Sequence, residues 1–317
     1  MVSDFKVSVV IPVYKAEAFI RRAIDSVLMQ PEVAELILVI DGNYDSSMRI
    51  CMDEQKLDQR IVILHHKGYR NKGVSASRNL GIRKANSPFI AFLDADDYYL
   101  ANRFKQTRKC FEEDQSVEGV YEAVGVHHNP LDIRTFSLLK SVSYDILFES
   151  LSPIGFDGWF HCNGVTTKKI CLQKCGLFDE DLKTSEDTLL WLKMAARCKL
   201  VSGNIHEAVA IAERTAGSLS SNRIQVNKDQ ITMLYKLFLW LNTSEIINEE
   251  EKKELTLKTI INLQFNNNMH FLHRIINAIN VIAIIGRTDF KFLYQSSAIR
   301  RMLGSLIGYN RLLGILK

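Results

Sequence analysis

The sequence of 317 residues predicts an α/β protein in which a doubly wound, mostly parallel sheet is flanked by helices and followed by an all-helical C-terminal extension. Between residues 6 and 93, short β-branched runs alternate with segments of helical spacing, as in parallel sheets covered on both faces. From about residue 224 onward, strand signals stop and Asn and Gln become frequent. These observations divide the chain into a sheet domain, 1–220, and a helical region, 221–317.

The predicted elements follow one another in the order expected of repeated strand–helix units. Buried strands are predicted at 6–13 and 35–40, a short third strand at 61–64 and a fourth strand at 88–93. Helical spacing covers 18–29, 75–85, 103–114 and 184–197. A strand-like run covers 119–126, and a strand with a turn is indicated at 162–177. Ligands of such sheets bind beyond the carboxyl ends of the strands, where this chain places acidic turns at Asp41 and at 94–97.

Composition and charge exclude several classes of protein. Hydrophobic residues make up 47% and charged residues 24% of the chain, which excludes wholesale disorder. The net charge is +4, and the excess lies in residues 224–317, which hold 12 Lys and Arg against seven Asp and Glu, or +5, whereas residues 1–223 carry −1. Such a modest patch argues against nucleic acid as the main partner. Since neither a signal peptide nor a membrane-spanning run is evident, we expect a cytoplasmic protein, with peripheral contact at the inner face of a membrane left open.

The cysteines indicate reduced thiols. There are six, and the sequence contains no CxxC pair, no zinc-type spacing and no small disulfide framework. Unpaired thiols are the expected state of such residues in a cytoplasmic protein.

An acidic turn, Asp94-Ala95-Asp96-Asp97, follows the fourth predicted strand. Three carboxylates within four residues repel one another unless a cation or hydrogen-bond donors neutralise them. A hard cation such as Mg²⁺ or Mn²⁺ binds a few carboxylates and completes its shell with water and phosphate oxygens. The alternative is that these acids cap a helix, since Asp is a favourable N-cap residue.

Three other segments carry candidate chemistry beside a purely structural interpretation. Thr184-Ser185-Glu186-Asp187 opens a helix, where a hydroxyl could cap and the acids favour the positive end of the dipole. Tyr14 follows the first strand and could stack on a base or simply pack. The basic, glycine-containing loop 67–78 leads into a helix and suits a phosphate, although neither GxGxxG nor the P-loop pattern is present.

These segments together resemble family 2 glycosyltransferases, which have the GT-A fold. The resemblance lies in VSVVIPVYK at 7–15, ELILVIDGNYDSS at 35–47, GVSASRNLGIRKA at 73–85, FIAFLDADDYY at 89–99 and GLFDEDLKTSEDTLLWLKMA at 176–195. It implies an inverting, metal-dependent transferase of polysaccharide biosynthesis. Such an enzyme moves a sugar from a nucleotide-sugar, with UDP expected, to a hydroxyl of a glycan or lipid-linked acceptor.

The resemblance also assigns residues to the donor site. Pro12 and Tyr14 would flank the nucleotide base, with Tyr14 stacking on uracil, and Asp41 would hydrogen-bond the edge of the base. Arg78 and Ala95 would belong to the same nucleotide-binding site.

The metal and the general base are assigned in the same way. Asp94 and Asp96 would form the DxD motif, which holds the ribose and the diphosphate-bound Mn²⁺ or Mg²⁺, and Asp97 could share this duty. Asp187 would be the general base, and Trp191, one turn later, would line the sugar or acceptor site or belong to the core.

The chain departs from the family pattern at two points. Ile40 stands where relatives often carry a first acid, and Thr215 where they often carry the His of Tyr-Arg-x-His; His206 is a candidate substitute for that His. These changes bear on donor affinity rather than on the fold. Donor-sugar choice is expected from a segment whose candidate residues are Trp159, His161 and Asn163.

Two questions stay open at the level of sequence. The apolar stripe at 299–313, flanked by arginines, could pack on the catalytic domain, on a second subunit of a homodimer, or on an anionic membrane surface. A catalytically degenerate domain acting as an assembly or membrane scaffold is the main alternative function, supported by Ile40 and Thr215. A nucleotidyltransferase is disfavoured, because a glycine-rich phosphate loop is missing near the first strand.

Overall fold

The computed structural model describes residues 5–42, 44–129, 132–138, 140–154, 157–213 and 223–243. Its strands are β1 (Val7–Val13), β2 (Val33–Ile40), β3 (Ile61–His65), β4 (Phe89–Phe92), β5 (Tyr98–Tyr99), β6 (Gly119–Tyr121), β7 (Val124–Asn129), β8 (Asp132–Phe136), β9 (Val165–Lys168), β10 (Leu200–Ser202) and β11 (Ala210–Ala212). Its helices are α1 (Ile20–Leu28), α2 (Ser47–Leu57), α3 (Val74–Lys84), α4 (Lys105–Glu113), α5 (Leu147–Ser150), α6 (Lys169–Cys175), α7 (Glu186–Arg197) and α8 (Arg223–Thr243). The four predicted strands are therefore confirmed, and the two predicted to be buried, β1 and β2, are buried at every position but one.

A seven-stranded sheet in the order β10-β6-β9-β4-β1-β2-β3 forms the centre of the fold. Its pairs β1–β2, β1–β4, β2–β3 and β6–β10 are parallel, whereas β9 runs antiparallel to both of its neighbours. The prediction of a mostly parallel sheet flanked by helices is confirmed. The carboxyl ends of β1, β2 and β4 consequently lie at one edge, and this edge carries the candidate site.

A second, four-stranded sheet in the order β5-β11-β7-β8 corrects one prediction. The strand-like run 119–126 is not one strand, because it divides into β6 in the large sheet and β7 in the small one. The segment 162–177 likewise contains more than a strand and a turn, since a one-turn 3₁₀ helix, Cys162–Gly164, precedes β9 and α6 follows it.

Apolar spacing in the sequence explains how the helices cover the sheet. Ile20, Ala23, Ile24 and Val27 of α1 follow the i, i+3, i+4, i+7 pattern, and all four are 0% exposed. Every residue of β1 is buried, as expected for the central strand of a sheet covered on both faces. Gly81 of α3 lies directly against Val10, where a Cβ would overlap the valine side chain. This close approach anchors the helix that carries Arg78.

A fully buried ion pair joins Arg103, just before α4, to Glu122, just after β6, next to β9. Arg103 donates to Glu122 at 3.1 Å, and to the carbonyl oxygen of Val165 and the hydroxyl of Thr166 at 3.0 Å each. Thr107 donates to the same carboxylate at 2.6 Å. Since these partners satisfy the two charges inside the core, we regard this network as structural.

The prediction of six reduced thiols is wrong for Cys171 and Cys198, which form a disulfide. Packing of α6 against α7 brings these residues, 27 apart in sequence, to a Cα–Cα distance of 6.5 Å. Cys175 Sγ lies 3.8 Å from Cys198 Sγ and is a free thiol. Sequence spacing could not reveal this pair, because Cys171 in α6 and Cys198 just after α7 are brought together only by tertiary packing.

The described residues form two compact units. Residues up to 151, together with 157–233, belong to the first, and residues 152–154 and 234–243 belong to the second. Helix α8 begins in the first unit, and the predicted division at 220/221 remains a prediction. Within the described ranges, none of the helices combines the length and hydropathy needed to span a bilayer. The predicted stripe at 299–313 lies outside the described residues.

Candidate functional site

The first part of the site lies where β1 and β2 end side by side. Val13 pairs with Ile40, and the Asp41 N–H donates to the carbonyl oxygen of Val13 at 2.8 Å. This register places Tyr14 and Asp41 next to each other at the sheet edge. Pro12 is buried within β1, so the predicted base-flanking residues occupy one end of the sheet.

Asp41 is buried and organises the basic loop that follows β3. Its Oδ1 accepts the backbone N–H of Lys72 at 2.6 Å, and its Oδ2 accepts that of Gly73 at 3.0 Å. His66 Nε2 lies 3.7 Å from Oδ1. Gly73 has φ +90°, a conformation that favours glycine, and immediately precedes α3. The carboxylate therefore fixes the shape of the loop beside Tyr14.

Two exposed tyrosines form an aromatic surface at this edge. Tyr14 is 46% exposed and meets Tyr44 edge to face, with ring centroids 5.6 Å apart. Lys15 Nζ lies 5.5 Å from the centroid of Tyr14 and 5.8 Å from that of Tyr44. An exposed ring with a neighbouring cation is chemically suited to stack on a nucleotide base. Tyr44 was not singled out from the sequence, where its turn offers no separate signal.

The acidic turn follows β4, and the carboxylates of Asp94 and Asp97 within it have different partners. No helix follows it, because Tyr98–Tyr99 forms β5, so the helix-capping interpretation is wrong. Asp97 is buried, and it accepts the Asn163 side-chain amide at 2.6 Å and the Glu213 N–H at 2.8 Å. Burial and the charges of Asp94 and Asp96 raise the pKa of Asp97 to about 8. Asp97 thus secures the turn from within the protein.

Asn163 is the residue that clamps this turn. It is 0% exposed, accepts the Asp94 N–H through Oδ1 at 3.2 Å and donates to Asp97. The sequence suggested Asn163 only as a determinant of sugar choice. Its clamping role depends on β9 lying next to β4, which the sequence does not reveal.

Arg78 connects the acidic turn to the start of α7. The side chain is 3% exposed; its Nη2 donates to Asp94 Oδ1 at 2.6 Å and its Nη1 to Glu186 Oε1 at 2.8 Å. The guanidinium also lies 5.2 Å from the centroid of Phe178. The end of β4 and the N-terminus of α7 are thereby joined through α3, and Arg78 is the buried bridge between the two acids.

Electrostatics differ sharply among the acids of this cluster. Burial disfavours ionised Asp94, but Arg78 and His161 outweigh burial and hold the pKa of Asp94 below its ordinary value. Burial and the adjacent Asp187 raise the pKa of Glu186 to about 7, against the opposing effect of Arg78. Asp187 itself is half-buried, and its Oδ1 accepts the Thr188 N–H at 2.6 Å.

His161 lies among the charged residues of the cluster, whereas Trp191 lies among aromatic residues of the core. His161 interacts electrostatically with Asp94 and Asp187, although burial lowers its pKa. Its Nδ1 accepts the Asn163 N–H at 3.3 Å, which leaves the ring proton of the neutral form on Nε2. Trp191 is 2% exposed and packs against aromatic core residues, Phe92, Phe160 and Phe178. Of its two predicted roles, the structure supports the core one.

Oxygen donors suited to a divalent cation are present in the acidic turn. Asp94 is held ionised beside Arg78, and Asp96, partly exposed, has its carbonyl oxygen fixed by Arg22 at 2.8 Å. The carboxylates of Asp94 and Asp96 could bind Mg²⁺ or Mn²⁺, with phosphate oxygens completing the coordination shell. Ala95 between them is 8% exposed, so the turn packs against the core.

Two sequence predictions are not placed in this cluster. His206 is exposed in the connection between β10 and β11, where its N–H donates to Asn204 Oδ1 at 3.1 Å. Thr215 lies outside the described residues. Ile40 is 1% exposed and contributes to the core at the end of β2.

Comparison with known proteins identifies the class that this fold and site define. A family model described as glycosyl transferase family 2 matches residues 8–162, which contain the ends of β1, β2 and β4 and the acidic turn. Residues 8–162 are therefore similar to family 2 glycosyltransferases along their whole length. The uncharacterized glycosyltransferase EpsJ of Bacillus subtilis (strain 168) is 40% identical over 212 residues, which are 63% of this chain. The chain spans 60% of the length of EpsJ.

Solved structures show the same fold at low sequence identity. S. aureus TarS 1–349 in complex with UDP-GlcNAc has a TM-score of 0.71 at 17% identity, covering 90% of this chain and 82% of TarS 1–349. Mannosyltransferase PcManGT from Pyrobaculum calidifontis, in complex with GDP-Man and Mn²⁺, has a TM-score of 0.60 at 16% identity, covering 98% and 80%. The predicted GT-A fold is confirmed.

Proposed function

We propose that the protein is an inverting glycosyltransferase that transfers a sugar from a UDP-sugar to a hydroxyl of a glycan or lipid-linked acceptor. The observation that carries the proposal is the Arg78 bridge, which joins Asp94 of the acidic turn to Glu186 beside Asp187. Donor-side acids and a candidate base thus lie in one cluster at the edge where ligands of parallel sheets bind. Binding of UDP-GlcNAc by TarS supports the choice of donor.

Sugar transfer to a hydroxyl requires a general base. Asp187 would accept the proton of the acceptor hydroxyl as its oxygen attacks the anomeric carbon, and the nucleoside diphosphate would leave from the opposite face. This single displacement inverts the configuration, as in inverting glycosidases with a sugar hydroxyl in place of water. A covalent nucleophile is not required.

The remaining residues would bind and orient the donor. Tyr14 would stack on the base, with Pro12 beside it, and Asp41 would hold the 72–73 loop while accepting from the base edge. Asp94 and Asp96 would hold a divalent cation, which supplies charge neutralisation for the leaving diphosphate. Mn²⁺ in the PcManGT complex supports this assignment. Arg78 would keep Asp94 ionised and in place.

The wider context is proposed on the same basis. We assign the enzyme to polysaccharide biosynthesis on the cytoplasmic side of a membrane, with peripheral membrane contact or homodimerisation through 221–317. The alternative function is a degenerate transferase domain that acts as a scaffold. The two functions differ in their requirement for Asp187, since a scaffold has no use for a base.

Nucleotide binding and turnover test the proposal together. Thermal shift with UDP, GDP, dTDP and CDP, each with and without Mn²⁺, should show stabilisation by UDP that depends on Mn²⁺. A ligand at about 100 times its dissociation constant stabilises the fold by about 2.7 kcal/mol. UDP-sugars are then screened for UDP release in the presence of glycan and lipid-linked acceptors.

Asp187→Asn provides the matched control for catalysis. Loss of a general base should lower kcat by about 10²- to 10⁴-fold, while the UDP-induced thermal shift stays unchanged. A wild-type chain that is folded but gives no shift with any nucleotide would refute the donor site and favour the scaffold.

A further inference from the structure

Asp229 of α8 reaches the turn that precedes the candidate base. Its Oδ2 accepts both the backbone N–H of Thr184 at 3.0 Å and the Thr184 hydroxyl at 3.1 Å. Its Oδ1 accepts the side-chain amide of Gln225 at 2.8 Å. Asp229 is 4% exposed, so this carboxylate is directed into the protein from a helix 45 residues further along the chain.

The contacted turn needs support from outside itself. Ser185, at the N-cap position of α7, has φ +64°, and a non-glycine residue in this left-handed region is strained. Contrary to the sequence prediction, neither hydroxyl caps the helix: Ser185 makes no side-chain cap hydrogen bond, and Thr184 Oγ1 donates to Asp229 instead. An unusual backbone conformation persists only where surrounding contacts hold it.

Two buried charged groups therefore hold the start of α7 from different elements. Arg78 of α3 holds Glu186 at 2.8 Å, and Asp229 of α8 holds Thr184, two residues before Glu186. Asp187 follows directly, so its direction depends on this pair of anchors.

We propose that Asp229 is a positioning residue for Asp187, acting through Thr184. The inference rests on the proposed function and extends it, because it gives the first turns of α8 a part in the active site. The region beyond 220, expected to serve for packing, dimerisation or membrane contact, would then also orient the catalytic base. A base displaced by about 1 Å loses roughly 100-fold in rate.

The test compares Asp229→Ala with Lys228→Ala in the full chain. Lys228 is the exposed neighbour on the same helix, so its variant controls for changes in α8 itself. In D229A, hydrogen exchange in a peptide containing 184–188 should accelerate, and kcat for UDP release should fall by roughly 10- to 100-fold. The KM for the donor and the thermal shift with UDP should stay within about twofold of wild type, and K228A should match wild type throughout.

Thr184 variants show whether Asp229 acts through this residue. Thr184→Val removes one of the two hydrogen bonds and should lower kcat, whereas Thr184→Ser keeps the hydroxyl and should restore it. The losses in T184V and D229A should be less than multiplicative in the double variant, because both remove one interaction.

The outcomes separate failure of the inference from failure of the proposed function. Unchanged exchange at 184–188 in D229A refutes the anchoring of the turn. Faster exchange with unchanged kcat refutes the positioning role. A wild-type chain without turnover on any UDP-sugar refutes the proposed function and the catalytic consequence, while the exchange experiment still decides whether Asp229 holds the turn.

Discussion

Replacing Arg78 with Met removes the bridge between the acidic turn and α7 while keeping a side chain long enough to cover Phe178. Arg78 is 3% exposed and makes charge-assisted hydrogen bonds of 2.6 and 2.8 Å. Removing one partner of a buried ion pair costs about 3–5 kcal/mol. The Asp94 side chain is 32% exposed, so water partly solvates its charge when Arg78 is removed. The Glu186 side chain is 9% exposed, so its unpaired carboxylate accounts for most of the lost stability. We therefore expect a loss of about 3 kcal/mol.

Urea unfolding followed by tryptophan fluorescence measures this loss in R78M, E186Q and the double variant, without divalent cations. At about 2–4 °C per kcal/mol, the melting temperature of R78M should fall by roughly 6–12 °C. The double variant should lose less than the sum of the two single variants, because Gln at 186 no longer leaves a buried charge unpaired. Arg78→Lys keeps the charge but not both donors, so its stability should lie between R78M and wild type.

A free energy of unfolding within about 1 kcal/mol of wild type in R78M would contradict this reasoning. Strict additivity in the double variant would do the same, since it would mean that Arg78 and Glu186 do not interact.

Other predictions concern pH, the disulfide and packing. Since Glu186 has a pKa of about 7 in the folded chain and 4.5 as its ordinary value, the folded state binds more protons between these values. Without divalent cations, Glu186 should therefore contribute a fall in the free energy of unfolding of up to about 3 kcal/mol from pH 4.5 to 7. In urea titrations the fall in E186Q should be smaller than in wild type by this amount, while the decline due to Asp97, whose pKa is raised to about 8, persists in both proteins. The disulfide between Cys171 and Cys198, 27 residues apart, should stabilise the fold by about 3–4 kcal/mol, so its reduction should lower the melting temperature. A thiol titration of the unfolded, unreduced chain should detect four free thiols. Gly81→Ala should destabilise by about 1–3 kcal/mol in thermal unfolding, because its Cβ would overlap Val10.

The succession of strands along the first part of the chain could be predicted, because each strand has its own run of apolar residues in the sequence. Residues 6–13 and 35–40 are almost continuous apolar runs, and the structure buries most of their residues in β1 and β2. The run 119–126 misled the prediction, since two short strands in different sheets look like one strand in the sequence. Local pattern carries no information about which sheet a strand joins.

The sequence predicted the acidic residues of the candidate site but not the contacts that position them. Asp41, Asp94, Asp96 and Asp187 stand at strand or helix ends, where spacing and turn chemistry make them visible. Asp229 could not be recognised, because an isolated acid within a helical pattern resembles any solvated one. Its burial and its contact with Thr184 follow from the packing of α8.

The sequence by itself determined the parallel strands, the site edge at which they end and the family resemblance, because these depend on residues close together along the chain. Only the tertiary structure decided how the charges are partnered: Arg78 between Asp94 and Glu186, Asp97 turned inward, and Cys171 joined to Cys198. These pairings link residues from 16 to 108 positions apart. The free energy of a buried charge depends on which group faces it, and that is set by how the helices pack on the sheet.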